Sequence, residues 1–276
     1  MDLKILKETP PWDWPERADK MFLEILADDQ GDASNRILAA ELAGDFTVIN
    51  DDLVDALLSI LQGDDESEEL RGKAAISLGP VLDHADTDGF DDPEDVPISE
   101  DTFRKIQASL RRLYLDAGVP KNVRRRILEA SVRAPQEWHQ NAIRAAYSSD
   151  DEDWRLTAVF SMRWVGGFDN QILEALESNN QNIHYQAVCA AGNWEVDAAW
   201  SHLSKLVSAQ VTDKPLLLAA IDAVAGIRPQ EAGVILVDLT NSDDEDIVEA
   251  AHEAMAMAEG PWSDEFDDDD DDGYVH

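Results

Sequence analysis

The sequence predicts an all-α protein, a right-handed α-solenoid of about seven helical hairpins, and three observations carry that prediction. A short phrase built on an arginine recurs along the chain. The residue four positions ahead of each copy is a helix-starting type, and a second amphipathic stretch lies between consecutive copies.

The phrase is an arginine, an alanine three residues on, and small residues after that. Arg36 is followed by Ala39, Leu42 and Gly44, Arg71 by Ala74, Ser77 and Gly79, and Arg155 by Ala158 and Ser161. His184 takes the arginine's place ahead of Ala187, Ala190 and Gly192, and looser copies begin at Arg124, Leu217 and Val248. Four residues before these anchors stand Asp32, Ser67, Pro120, Asp151, Asn180, Asp213 and Asp244. All but Pro120 are favoured N-cap residues, whose short side-chain oxygen accepts from an otherwise unpaired backbone N–H, and proline suits a first helical turn.

The elements then follow in order. Residues 1–14 are an N-terminal extension, and residues 15–260 hold the repeats. The amphipathic partners of the anchor helices include Asp51 to Leu61, Gln171 to Leu176, Ala198 to Val207 and Ala232 to Leu239, with Leu, Ile and Val recurring at three and four. A lone hairpin of this size cannot cover its apolar face, so stacking is required to build a continuous core, and the small residues let one helix sit close to the next. The anchors are 35, 53, 31, 29, 33 and 31 residues apart. The long step holds residues 84–97, HADTDGFDDPEDVP, whose six acids and glycine and proline breakers predict a solvated inserted loop, followed by a helix from about Ser99 to Leu115. Residues 261–276 are expected to be a disordered acidic tail, with eight acids from Ser263 onward.

The phrases DASNRILAAELAG, DEDWRLTAVFSM and NQNIHYQAVCAAG resemble HEAT repeats, in the short form of the phycobilisome-lyase-like group. The resemblance spans about residues 15–260 and implies the helical-repeat fold. For function it implies either a protein-binding scaffold or a bilin-lyase-like subunit acting on a chromophore protein, and no residue here marks a bilin site.

Composition narrows the classes. The chain has 276 residues, 22 Lys and Arg against 59 Asp and Glu, and a formal charge of −37. A field this negative opposes broad adsorption to nucleic acid or anionic lipid, since both reward clustered cations. A nucleic-acid binder resembling the HEAT-like DNA glycosylases is therefore the weakest reading. Cys189 is the only cysteine, which excludes an intrachain disulfide, a cysteine zinc cage and a CxxC pair and points to a reducing compartment. The opening MDLKILKETPPWDW carries early acids and no continuous apolar core, so a cytoplasmic protein without a leader is expected.

Catalytic signatures are missing: the chain contains no HExxH, GxSxG, GxGxxG or GxxxxGK[ST]. HEAT-like di-iron hydroxylases carry several His-Glu pairs, whereas this chain has one, His252 and Glu253. Asp86, Asp88, Gly89 and Asp91 resemble part of a calcium loop, but with Gly89 in its sixth place the first ligand is His84 and the twelfth Asp95, which breaks the pattern. No catalytic residue, metal site or cofactor is expected, and the chain is read as a non-enzyme.

Charge placement points instead to binding. Between Arg104 and Arg133 nine cations (Arg104, Lys105, Arg111, Arg112, Lys121, Arg124, Arg125, Arg126 and Arg133) meet two acids, Asp116 and Glu129. This basic island either neutralises neighbouring acidic turns or docks an acidic segment, which could be a partner's or the chain's own tail. Asp64 to Glu66, Asp150 to Asp153 and Asp243 to Asp246 each precede the second helix of a unit and predict an acidic ridge. Trp154, Trp164, Trp194 and Trp200 are core or inter-repeat residues, or binding anchors where exposed. The candidate partner-binding set is Arg104, Arg111, Arg112, Arg124, Arg125, Arg126, Trp164 and Trp194, on a cytoplasmic scaffold or adaptor that uses a concave surface and an acidic edge to hold another protein.

Overall fold

A computed structural model of the protein describes residues 3–92, 95–209 and 212–259. The elements among these residues are helices, with no strand. None of the described helices is long and apolar enough to cross a membrane. The chain forms two compact units, Met1–Phe168 and Asp169–His276.

The first unit contains α1 (Leu3–Glu8), α2 (Ala18–Ala27), α3 (Ala33–Leu42), α4 (Asp51–Gln62), α5 (Glu68–Ser77), α6 (Gly79–Asp88), α7 (Glu100–Leu115), α8 (Lys121–Ser131), α9 (Glu137–Tyr147) and α10 (Glu152–Ser161). Successive helices pack as α2 on α3, α4 on α5, α7 on α8 and α9 on α10. The second member of each pair also packs on that of the next, α3 on α5, α5 on α8 and α8 on α10. The second unit contains α11 (Asp169–Ala175), α12 (Gln181–Asn193), α13 (Trp200–Ser208), α14 (Lys214–Ile227), α15 (Pro229–Leu236) and α16 (Glu245–Glu259). There α11 packs on α12, α13 on α14 and α15 on α16, while α12, α14 and α16 stack in turn.

The sequence positions that start these helices do so by side-chain capping. Asp32, Ser67, Asp151 and Asn180 are N-caps whose side chains accept from backbone N–H groups of the first turn. Asp213 occupies the same position without a side-chain bond, ahead of Pro215. The alanine of the phrase is core: Ala39, Ala74, Ala158, Ala187, Ala220, Ala223, Ala251 and Ala254 are all buried. The small residues set the helix spacing. A Cβ on Gly44 would lie 2.4 Å from the Ser77 carbonyl oxygen, and one on Gly192 would lie 2.8 Å from Ala223 Cα, so each glycine meets the small position of the following unit.

One segment departs from expectation. Residues 84–97 are not one solvated loop, because α6 continues through Asp88 and buries Val81, Leu82 and Ala85. Proline in its first turn starts this helix, and Gly89, at φ +72°, ends it in the left-handed region that glycine tolerates. Its described end is anchored, since Val96 and Ile98 are buried and the His84 ring donates to the Asp95 carbonyl at 2.7 Å. Asp88 pairs with His84 at 3.0 Å, so the acids of the calcium-like stretch belong to a helix end and do not converge. The N-terminal extension is also packed: Leu3 and Leu6 are buried, and the Trp14 indole donates to the carbonyls of Leu6 and Thr9. The acidic tail, residues 261–276, lies outside the described residues.

Candidate functional site

Three of the repeat arginines, Arg36, Arg71 and Arg124, cap helix ends. Arg36 donates through Nη2 to the Leu26 carbonyl at 3.2 Å, Arg71 through Nε to Leu61 at 3.1 Å, and Arg124 through Nε to Tyr114 at 2.9 Å. In each case the acceptor is ten residues upstream and is the penultimate residue of the hairpin's first helix. The last carbonyls of a helix lack intrahelical partners and carry the negative end of its dipole, so a guanidinium there satisfies both.

A second set of cations reaches forward by one repeat. Arg36 binds Glu66 through both terminal nitrogens, at 2.9 and 2.6 Å. Lys121 binds Asp151 at 2.7 Å and Asp153 at 3.3 Å, and Lys214 binds Asp244 at 2.7 Å and Asp246 at 2.6 Å. The hydrogen bond from Lys121 holds the Asp151 carboxyl below its usual range, and Lys214 does the same to Asp244. Each acidic turn predicted as a ridge therefore spends some of its carboxylates on the preceding repeat. Asp65, Asp150, Glu152 and Glu245 remain exposed.

The basic island divides by helix. On α8, Arg125 is buried, donating to Thr157 Oγ1 at 3.0 Å and pairing with Asp153 at 3.3 Å. Arg126 pairs with Glu129 at 2.5 Å, and Glu129, itself buried, accepts from Thr157 Oγ1 at 2.7 Å. Arg124 lies 5.5 Å over the Tyr114 ring and 5.7 Å from that of Trp154, against a recess of about 210 Å³. Arg133 sits 4.9 Å from the Trp164 ring, and burial pushes its guanidinium down from the usual value. Consecutive cations that looked alike in sequence thus enter different environments, and Arg125 is removed from the accessible surface.

On α7 the cations stay outside. Arg104, Lys105, Arg111 and Arg112 are exposed, as is Leu115 at 64%. Arg104 pairs with Glu100 one turn earlier, Lys105 reaches Asp55 at 2.5 Å, and Arg112 reaches Gln62 at 3.0 Å. Arg111 makes no ion pair among the described residues. Of the tryptophans, Trp164 is half-buried beside Phe160 and between Arg133 and Arg163, whereas Trp194 is 42% exposed at the C-terminal end of α12.

One buried pair imitates a catalytic dyad. Ser131 Oγ and His139 Nε2 are 3.0 Å apart. The Gln136 N–H donates to His139 Nδ1 at 2.8 Å, which leaves the ring's proton on Nε2, so His139 donates to Ser131 and cannot accept its proton. Burial pushes the imidazole down to about 4, and both residues are enclosed. The pair serves the entry to α9. His252 and Glu253 are exposed on α16. Thr157 and Tyr114 were not singled out from sequence, and Glu129 only as one of two acids among the cations; the spacing of Arg124 from Tyr114, shared with the other two arginines, could have revealed the tyrosine.

No protein-family model matches this sequence, nor does any curated protein. Among solved structures the chain is similar to Escherichia coli YibA, at 16% identity over 89% of this chain and 84% of that one, with a TM-score of 0.47. It is also similar to human deoxyhypusine hydroxylase in complex with glycerol, at 17% identity over 90% and 87% of the two chains, TM-score 0.40. An engineered protein matches at 15% identity over 89% and 97%, TM-score 0.37. The first two are HEAT-like helical-repeat proteins. The expectation of a non-enzyme is corrected by this comparison, in which one of the similar structures, deoxyhypusine hydroxylase, is an enzyme. The likeness does not assign that activity here.

Proposed function

We propose that the chain is a HEAT-like repeat protein, a right-handed solenoid of about seven hairpins, which acts in the cytoplasm as a scaffold or adaptor by binding an acidic segment of another protein on the exposed face of α7. The observation that carries this reading is the contrast between that face and its molecule. Arg104, Lys105, Arg111, Arg112 and the apolar Leu115 are exposed on one helix of a chain with a formal charge of −37. Exposed ion pairs contribute roughly 0.2–1 kcal/mol each and are screened over about 8 Å at physiological salt, so several cations must act together. Leu115 adds an apolar contact that salt does not screen.

The test uses a labelled peptide of residues 263–276, SDEFDDDDDDGYVH, as the acidic probe, offered to a chain truncated after residue 260. Anisotropy at low salt should show binding that weakens steeply as salt rises. The triple variant Arg104→Glu, Arg111→Glu, Arg112→Glu should reduce affinity at least tenfold, whereas Arg124→Gln should change it little. Equal binding by the triple variant and the parent overturns the assignment to α7. Identification of proteins co-purifying at low salt would then name the partner.

A further inference from the structure

In the fifth repeat the arginine's place is taken by His184, and its contact is of a different kind. His184 on α12 and His202 on α13 meet head to head, Nε2 to Nε2 at 2.9 Å, with ring planes at 83°. Glu177, just after α11, lies 3.2 Å from His202 Nδ1. The carboxylate only accepts, so His202 carries its proton on Nδ1 and presents the Nε2 lone pair inward, while His184 donates to it from Nε2. Both rings are half-buried and reachable from solvent.

We propose that His184 and His202 are this chain's ligands to a divalent transition-metal ion of the borderline class typified by Zn²⁺. Such ions select imidazole nitrogen and sit about 2.0–2.1 Å from it. Two nitrogens 2.9 Å apart need to part by only roughly 0.4 Å to share one ion at that distance with a tetrahedral angle. Glu177 already supplies what a metal-bound histidine needs behind it, a carboxylate on the other ring nitrogen that fixes orientation and raises basicity. The proton on His184 Nε2 moves to Nδ1 through solvent, so both ligands stay neutral and none is lost. Glu177 and Asp213 add negative potential that attracts a cation. Among the described residues no group of three or more His, Cys, Asp or Glu side chains is arranged around a single ion. The remaining coordination positions therefore belong to water or to a bound molecule, which leaves the ion open for further ligands.

Zn²⁺ titrated into the full chain in a large excess of Mg²⁺, which occupies the acidic clusters, should bind with one equivalent per chain by calorimetry. His184→Ala and His202→Ala should each weaken that binding tenfold or more. Glu177→Gln, a positioning residue, should weaken it about tenfold. Cys189→Ser should leave it unchanged. No stoichiometric binding, or equal binding by either alanine variant, overturns the proposal, as does loss of binding in Cys189→Ser. Should an alanine variant lose its helical signal, side-chain ¹⁵N NMR of the intact protein decides. Zn²⁺ must shift the Nε2 resonances of His184 and His202, and shifts confined to other histidines overturn the site.

Discussion

Arg124 donates through Nε to the backbone carbonyl of Tyr114 at 2.9 Å while its guanidinium lies 5.5 Å from the centroid of the same tyrosine's ring. One cation thus closes the C-terminal end of α7 and covers its last aromatic side chain. Arg71 performs the first of these tasks in a fully buried setting, with Leu61 as acceptor, and offers the cleaner test.

Arg71→Ala is expected to cost about 2–4 kcal/mol, because it strands a helix-end carbonyl and leaves a cavity beneath α5. Asp64→Ala, which removes an acid that is 96% exposed from the same guanidinium, should stay within about 0.5 kcal/mol. Denaturant midpoints of the two variants check this. Equal losses would mean that Arg71 acts through the ion pair and not through the helix end.

Glu129 ties α8 to α10 through Thr157, and its charge is enclosed beside Arg126. Glu129→Ala should cost roughly 1–3 kcal/mol, because it leaves the buried Thr157 hydroxyl without its acceptor while Arg126 can turn to solvent, and Glu129→Gln distinctly less because it can still accept from Thr157. A double-mutant cycle with Thr157→Val should show a coupling of at least about 0.5 kcal/mol, and additivity would remove the network.

His139 titrates near 4 in the folded chain against 6.5 in the unfolded one, because burial opposes its charge. A depressed histidine makes the unfolded state bind more protons below pH 6.5. Its contribution is therefore fully present above that pH and is lost as pH falls toward 4, up to about 3 kcal/mol. His184 acts in the same direction. Stability measured from pH 7 to 4.5 should fall, and His139→Gln should flatten part of that slope. An unchanged slope would show that His139 titrates normally.

Glycine-to-alanine changes separate close approach from helix propensity. Gly192→Ala places a Cβ 2.8 Å from Ala223 Cα and should destabilise by about 1–3 kcal/mol despite alanine's better propensity. Gly72→Ala meets only the flexible Arg126 side chain, Cγ at 3.3 Å and Cβ at 3.9 Å, and should be neutral or slightly stabilising. Thermal melts of the pair report the difference.

What could be read in the sequence was what local chemistry decides. Asp32, Ser67, Ser99, Asp151 and Asn180 start helices because capping needs only residues within one turn. The α6 helix was hidden because Asp86 and Asp88 read as solvated loop, while the evidence for burial, Val81, Leu82 and Ala85, spans barely a turn and a half. The fate of Arg124, Arg125 and Arg126 depends on helix phase and on partners such as Thr157, some 30 residues away, which no window around the arginines contains. The pairing of His184 with His202 is hidden for the same reason, though a histidine in an arginine's place was visible.

The two intervals seen in the cation contacts have different consequences for how such a chain can grow. The ten-residue closure from Arg36 to Leu26, Arg71 to Leu61 and Arg124 to Tyr114 lies wholly within one hairpin, so donor and acceptor travel together whenever a hairpin is duplicated or moved. The roughly thirty-residue pairs, Arg36 with Glu66, Lys121 with Asp151 and Lys214 with Asp244, must be formed anew with whichever hairpin follows. An extra helix can then enter between Arg71 and Arg124, as α6 does, without opening the hairpin on either side. These three hairpins carry their own fastening into a new position, and only the seam with the neighbour has to be matched.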